Sequence, residues 1–315
     1  MDIMSNNTSL KESANSIDVV QVSIYSFIFI IGILLNLVAL VVFCGNGRSR
    51  SQTVVYMTNL AIADLLLILT LPVRIYYHLG HRDLPQLLCS ILGLVLKANM
   101  YSSIFLLMCI CIDRCLAVTL PMSPCVQEGR KKAPLVCIGI WMLTFGASVP
   151  IYLSKEIHHN QTQCFDSIPV FAINHIVVLP TLFLGFGIPL VVMLICSWFL
   201  ARAVRRSTVA QTNLVDSSKI SKMVITSLLV FLISFLPYHT MLLLLSQNWN
   251  HNGMLHAYRY SLMVACLNAV LDPVAYYFTA DTFRRKVDMG VVWKMLPLNS
   301  QSSDLNRRSR VPGDG

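Results

Sequence analysis

The stretch Cys89–Val118 reads CSILGLVLKANMYSSIFLLMCICIDRCLAV, and its reading decides the fold. As an α-helix, the run from Cys89 to Arg114 rises about 38 Å at 1.5 Å per residue. A bilayer's hydrocarbon core is about 30 Å thick, so this helix crosses it with length to spare. Lys97, Asn99 and Ser103 interrupt the apolar run, and Asp113 and Arg114 lie near its end. These groups are too polar for lipid. A spanning helix with polar residues from end to end belongs inside a bundle.

The rest of the chain supplies the bundle. Residues are 55% hydrophobic and only 12% charged, against about 25% charged in soluble domains. Seven apolar segments separate, at about 19–43, 54–78, 86–118, 134–153, 170–203, 218–246 and 255–279. Residues 1–18 lack the basic-then-apolar order of a signal peptide, so the first span is expected to act as the targeting signal.

Basic residues orient the chain. With the N-terminus outside, the outer segments hold Lys11, Arg82 and Lys155, whereas Arg130, Lys131, Lys132, Arg202, Arg205 and Arg206 crowd the inner ones. The tail from Arg284 to Arg310 adds more. The formal net charge of +9 mostly reflects this asymmetry, so a nucleic-acid partner is not expected. An extracellular N-terminus and a cytoplasmic C-terminus follow. Three N-x-Ser/Thr sequons, at Asn6, Asn7 and Asn160, fall on the outer side and are candidate glycosylation sites. Most of the ten cysteines lie in or near spans as packing residues. Cys89 and Cys164 differ, because they fall in outward segments where disulfides persist.

The expected fold is an all-α membrane protein, a seven-transmembrane helix bundle with a short amphipathic eighth helix. Residues 1–18 are expected to form an extracellular tail, 19–279 the seven-transmembrane domain, and 280–315 the amphipathic helix and cytoplasmic tail. Prolines at 72, 189, 237 and 273 interrupt the spans, which lipid tolerates where neighbouring groups satisfy the freed carbonyls. After Thr279, Asp281-Thr-Phe-Arg-Arg-Lys-Val is amphipathic and suits the inner interface.

In chain order the sequence carries Gly32-x-x-x-Asn36, Leu60-Ala-x-Ala-Asp64, Cys89, Asp113-Arg114, Trp141, Cys164, Pro189, Phe235-x-Pro237 and Asp272-Pro-x-x-Tyr276. This series resembles the rhodopsin-like (class A) G-protein-coupled receptors over nearly the whole chain. Phe-x-Pro-Tyr-His in span six, Asp-Pro-x-x-Tyr in span seven, Leu71-Pro-Val-Arg and Asn99-Met-Tyr-Ser-Ser resemble the purinoceptor and lysophosphatidic-acid-receptor branch. That branch also includes orphan receptors.

The resemblance implies a plasma-membrane receptor coupled to heterotrimeric G proteins and to arrestin, with a Cys89–Cys164 disulfide. It implies that Asn36, Ser103, Asn268 and Asp272 surround Asp64 as a sodium and water cluster; otherwise the chain is expected to use no cofactor. Oxygen-rich coordination suits a hard cation, while the plainer alternative is a polar knot that only glues helices. Asp272 replaces the commoner asparagine, so two carboxylates are placed to share a proton. Asp113 and Arg114 are expected to pair as the inner switch, with Phe235, Pro237 and Tyr276 completing it. Cys115 stands where the usual motif has tyrosine.

Arg74, Lys97 and Arg259 are three cations near the outward ends of spans two, three and seven, without evident acidic partners in the spans. Asp83, Glu156 and Asp166 are candidate loop partners. The cations suit an anionic head group, which arginine can bind through two parallel bonds; snorkelling to the interface is the alternative. Tyr101, Tyr238 and His239 are further donors, with a core role for His239 equally open. The expected ligand is a lysophospholipid or related acidic lipid, its head on the cations and its chain on Leu, Met and Phe surfaces. A nucleotide, a small carboxylate or constitutive activity without ligand are the alternatives. Residues 1–18 and 246–258 contain no cysteine for the second outer disulfide common among nucleotide receptors of the branch. An opsin is excluded because span seven lacks a lysine. A transporter lacks its expected repeats, and no nucleophile or zinc constellation suggests an enzyme.

Overall fold

The structure is a computed structural model that describes residues 18–44, 51–120, 122–153, 164–165, 172, 174–209, 214–247 and 253–279. The three sequons, the loop carboxylates Glu156 and Asp166, and the amphipathic stretch after Thr279 lie outside the described residues. Among the described residues, regular structure is entirely helical.

The seven spans run Val19–Cys44, Gln52–His78, Gln86–Thr119, Ala133–Leu153, His175–Val209, Leu214–Ser246 and, in two pieces, Met254–Cys266 and Asn268–Thr279. Six contain stretches long and apolar enough to cross a bilayer on their own. The seventh changes register at Leu267, whose N–H reaches back only three residues to Val264 O at 3.0 Å. A short connector helix, Pro124–Lys131, lies between spans three and four. Span three touches spans two, four, five and six and forms the bundle's axis. Its Met100, Ile104, Leu107 and Ile110 are buried in one core with Leu60, Phe231 and Phe235. A second core gathers Tyr25, Ile28, Leu67, Ile68 and Cys266 from spans one, two and seven.

Large apolar side chains also face outward, among them Ile138, Met142, Phe183 and Trp198. Water would penalise such a surface, and acyl chains do not. The chain is a multi-pass membrane protein.

The irregular places have local hydrogen-bond chemistry. Span two bends at Leu69–Thr70, where the Thr70 N–H turns to Leu67 O at 2.9 Å and its hydroxyl donates to the same carbonyl at 2.7 Å. Pro72 then opens the next piece, a helix start where a missing N–H costs nothing. In span seven, Pro273 cannot donate to Ala269 O, four residues earlier. Asn36 Nδ2 of span one donates to that carbonyl instead, at 2.7 Å. Span five contains one feature unforeseen from the sequence, a wide π-helical segment at Thr181–Gly187. A Cβ on its Gly185 would lie 2.8 Å from Tyr101 Cε1, so glycine permits the ring of span three to lie against span five.

Cys89 and Cys164 form a disulfide with Cα atoms 5.3 Å apart, which holds Phe165 over the end of the bundle. At mid-bundle, Trp141 Nε1 donates to Asn59 Oδ1 at 3.0 Å and ties span four to span two. Trp141→Phe removes that donor but keeps an aromatic ring. Its expected cost is about 1 kcal/mol, read as a lower thermal unfolding midpoint of the purified protein in detergent.

Candidate functional site

The three cations near the disulfide end have partners, and Phe165 joins two of them. The Arg74 guanidinium lies 4.6 Å from the Phe165 ring centroid, and its Nη2 donates to Leu92 O at 3.2 Å. Arg259 Nε donates to Phe165 O at 2.9 Å. Tyr77 meets the same ring edge-on at 5.0 Å. Among the described residues, a carbonyl thus meets each arginine and the Phe165 ring face adds to Arg74, whose Nε has no hydrogen-bond partner there. The only clue to Phe165 in the sequence is its place beside Cys164.

Lys97 lies apart from that hub. It is buried in span three, and its Nζ donates to Tyr238 Oη of span six. The ammonium also sits 4.6 Å from the Tyr238 ring centroid and 5.5 Å from that of Tyr101. One turn further on, Tyr101 Oη lies 3.4 Å from His239 Nε2, while His239 Nδ1 lies 2.7 Å from Phe235 O. A carbonyl only accepts, so Nδ1 carries the proton and Nε2 accepts from the tyrosine. Phe186 stacks on the imidazole at 4.4 Å and on Phe231 at 5.1 Å. His239 thus serves both in the core and as a hydrogen-bonding group.

Beside Lys97 lies a cavity of about 260 Å³ between spans three, four and five, with Leu242 of span six also lining it. Phe105, Leu143, Val178 and Leu184 supply apolar wall, and Thr144 and Ser148 supply hydroxyls. Lys97 is the one charged residue among those lining it; Arg74 and Arg259 are not among them. Among the described residues, Arg74 and Arg259 meet at the Cys164–Phe165 segment, whereas Lys97 lines this cavity.

Deeper in the bundle, Asn268 Nδ2 donates to Asp64 Oδ1 at 3.3 Å, and Asn36 Nδ2 donates to Gly32 O at 2.9 Å. Among the described residues, six buried oxygens here have no hydrogen-bond partner: Asn36 Oδ1, Asp64 Oδ2, Ser103 Oγ, Asn268 Oδ1 and both oxygens of Asp272. Buried acceptors left unsatisfied are costly. A donor set of carboxylate, amide and hydroxyl oxygens fits a hard, partly hydrated cation.

At the opposite end, Asp113 departs from the expected pairing. Its Oδ1 accepts from Arg130 Nε at 2.7 Å and its Oδ2 from Arg130 Nη2 at 3.3 Å. Thr53 Oγ1 of span two also donates to Oδ2. The neighbouring Arg114 turns its Nε into a buried place with no hydrogen-bond partner. Adjacent residues on a helix point about 100° apart, so Arg130 on the connector faces Asp113 more squarely than Arg114 does. The hydrogen bond that it donates to Asp113 holds the Arg130 guanidinium above its usual pKa. The sequence showed Arg130 only as part of a basic run, and Thr53 carried no signal. Phe235 and Pro237 lie in span six, with Phe235 fully buried; the Tyr276 side chain lies outside the described residues.

A seven-helix bundle of this form, with a buried carboxylate at its centre and a charged pair at one end, defines a class. The chain belongs to the 7 transmembrane receptor (rhodopsin family) group, whose family model matches residues 35–276. Within it, the chain falls in the branch that resembles lysophosphatidic acid receptors. Human lysophosphatidic acid receptor 4 is 30% identical over 304 residues, covering 92% of this chain and 82% of the relative. Mouse lysophosphatidic acid receptor 6 is 32% identical over 299 residues, covering 89% and 86%. Mouse cysteinyl leukotriene receptor 1 is 31% identical over 311 residues, covering 93% and 86%. All three are receptors by name.

The Arg130 clasp yields a direct test. Arg130→Ala leaves Asp113 buried with Thr53, at an expected cost of about 2 kcal/mol for the lost charged hydrogen bonds. Arg130→Lys restores the charge but not the paired geometry and should recover only part of that loss. Thermal unfolding of the two purified variants measures both.

Proposed function

We propose that this receptor binds an extracellular anionic lipid, a lysophospholipid or related acidic lipid, and signals to heterotrimeric G proteins. The observation that carries the reading is the apolar cavity with Lys97 as its one charged lining residue. A head-group phosphate or carboxylate makes a charge-assisted bond to an ammonium, about twice as strong as a neutral one. The acyl chain adds about 0.8 kcal/mol for each methylene taken from water. The names of the relatives point the same way, since lysophosphatidic acid joins a phosphate to one acyl chain.

In this reading the Cys89–Cys164 end faces outside and the Asp113 end faces the cytoplasm, where basic residues concentrate. Residues 19–279 form the receptor unit, between an extracellular tail of 1–18 and a cytoplasmic segment of 280–315. Tyr101 and His239 shape the head-group region around Lys97, while Arg74 and Arg259 hold the Phe165 segment over the outer end of the bundle. A sodium ion held among Asp64, Asn36, Ser103, Asn268 and Asp272 would stabilise one packing of the spans by neutralising the buried carboxylates. Arg114, with Asp113, Phe235, Pro237 and Tyr276, forms the inner switch that meets the G protein, and arrestin is a further cytoplasmic partner.

The test is a G-protein activation screen in cells against lysophospholipids, hydroxy fatty acids, nucleotides and small carboxylates. A lysophospholipid response is expected, with at least about a tenfold rise in half-maximal concentration for Lys97→Ala, or 1.4 kcal/mol of lost binding. Surface expression should be unchanged. A response to nucleotides alone overturns the proposal.

A further inference from the structure

We propose that the two bonds joining span three to span six, Lys97 to Tyr238 and Tyr101 to His239, form a tether beside Pro237, and that an anion arriving at Lys97 releases its first rung. The inference rests on reading Lys97 as the anion-binding group, and it adds the step that converts binding into helix movement.

The geometry is that of a ladder. Lys97 and Tyr101 are four residues apart on span three and present to the same neighbour. Tyr238 and His239 are consecutive and follow Pro237 directly. Proline lacks the N–H that would close that turn of span six, so the helix pivots most easily there. Both rungs thus grip the segment that begins at the pivot. Tyr238 is fully buried and His239 nearly so, which puts the rungs in a dry environment where hydrogen bonds strengthen.

The two rungs differ in what can break them. Tyr101 is held in place by span five, because Gly185 lets its ring pack closely there. Lys97 donates to a phenol oxygen, a neutral acceptor. A phosphate or carboxylate oxygen is a stronger acceptor for an ammonium, and Lys97 also lines the cavity through which such a group would arrive. Once the ammonium turns to the anion, Tyr238 retains its ring contact with Tyr258 of span seven, at 6.0 Å between centroids. Span six then loses one hold on span three and keeps its hold on span seven. The ligand shifts the equilibrium because it binds better to the state in which Lys97 has left Tyr238.

The experiment compares ligand-free G-protein activation by Lys97→Met, Tyr238→Phe and the double variant in cells at matched surface expression. Each single change should raise it about fivefold, the shift that loss of one hydrogen bond gives a two-state equilibrium. The double variant should rise no further than the larger single one, because both changes delete the same bond. With oleoyl lysophosphatidate as the probe, Tyr238→Phe should respond at lower concentration than the parent, and Lys97→Met should not respond. Unchanged ligand-free activity in Tyr238→Phe, or a double variant that multiplies the two effects, overturns the tether. If the ligand-free pattern holds but Lys97→Met still answers the lipid, the ligand reading fails while the tether stands. If Lys97→Met loses the lipid response but ligand-free activity never changes, the tether fails alone.

Discussion

A charged or polar side chain between helices in a bilayer has no water to fall back on, so its partners must come from other helices. That constraint shapes the receptor at every level. Near the disulfide, Arg74 and Arg259 meet through the ring and carbonyl of Phe165. One layer in, Lys97 reaches across to Tyr238, and Tyr101 to His239. Span one uses Asn36 to satisfy the carbonyl that Pro273 leaves open in span seven. At the far end, Asp113 binds Thr53 of span two and Arg130 of the connector helix. Apolar packing brings the spans together, but these bonds specify which side chains face one another.

The same constraint explains the places where satisfaction is incomplete. Asp64, Asp272 and their neighbours leave six oxygens without donors at the centre of the bundle. Arg114 keeps a buried nitrogen unpaired beside a carboxylate that is already engaged. Such groups are costly in one packing and become favourable when another packing, an ion or a partner supplies what is missing. A receptor needs two states of similar free energy, and unsatisfied polar groups in a dry bundle keep the difference small enough for a ligand to reverse.

Much of this architecture was legible in the sequence because hydrocarbon imposes a strict code. Apolar runs of spanning length marked the helices, and the proline in span two lies beside a real break, whereas Pro273 sits inside the second piece of span seven. Asp64, Asn36, Asn268 and Asp272 stood out because polar residues in a span require a reason. Pairings across the bundle were less accessible. Asp113 was expected beside Arg114, but local spacing does not reveal that Arg130, seventeen residues later, offers two parallel bonds. The three cations looked equivalent on the page. The disulfide separates them by drawing Phe165 onto Arg74 and Arg259, leaving Lys97 as the charged wall of the cavity. The π-helical segment of span five also escaped notice, since its apolar residues suit an ordinary helix equally well.

On the proposed reading, the cavity, Lys97 and the Pro237 pivot lie along one path from the ligand to span six. Its central claim is that the ligand's anion and Tyr238 compete for the same ammonium. The most direct measurement is an electron cryo-microscopy structure of the receptor with oleoyl lysophosphatidate and a G protein. Phosphate density is expected within hydrogen-bonding distance of Lys97 Nζ, with the acyl chain between spans three, four and five and Tyr238 Oη withdrawn from the ammonium. Phosphate density at Arg74 and Arg259, with the Lys97–Tyr238 bond intact, would contradict it.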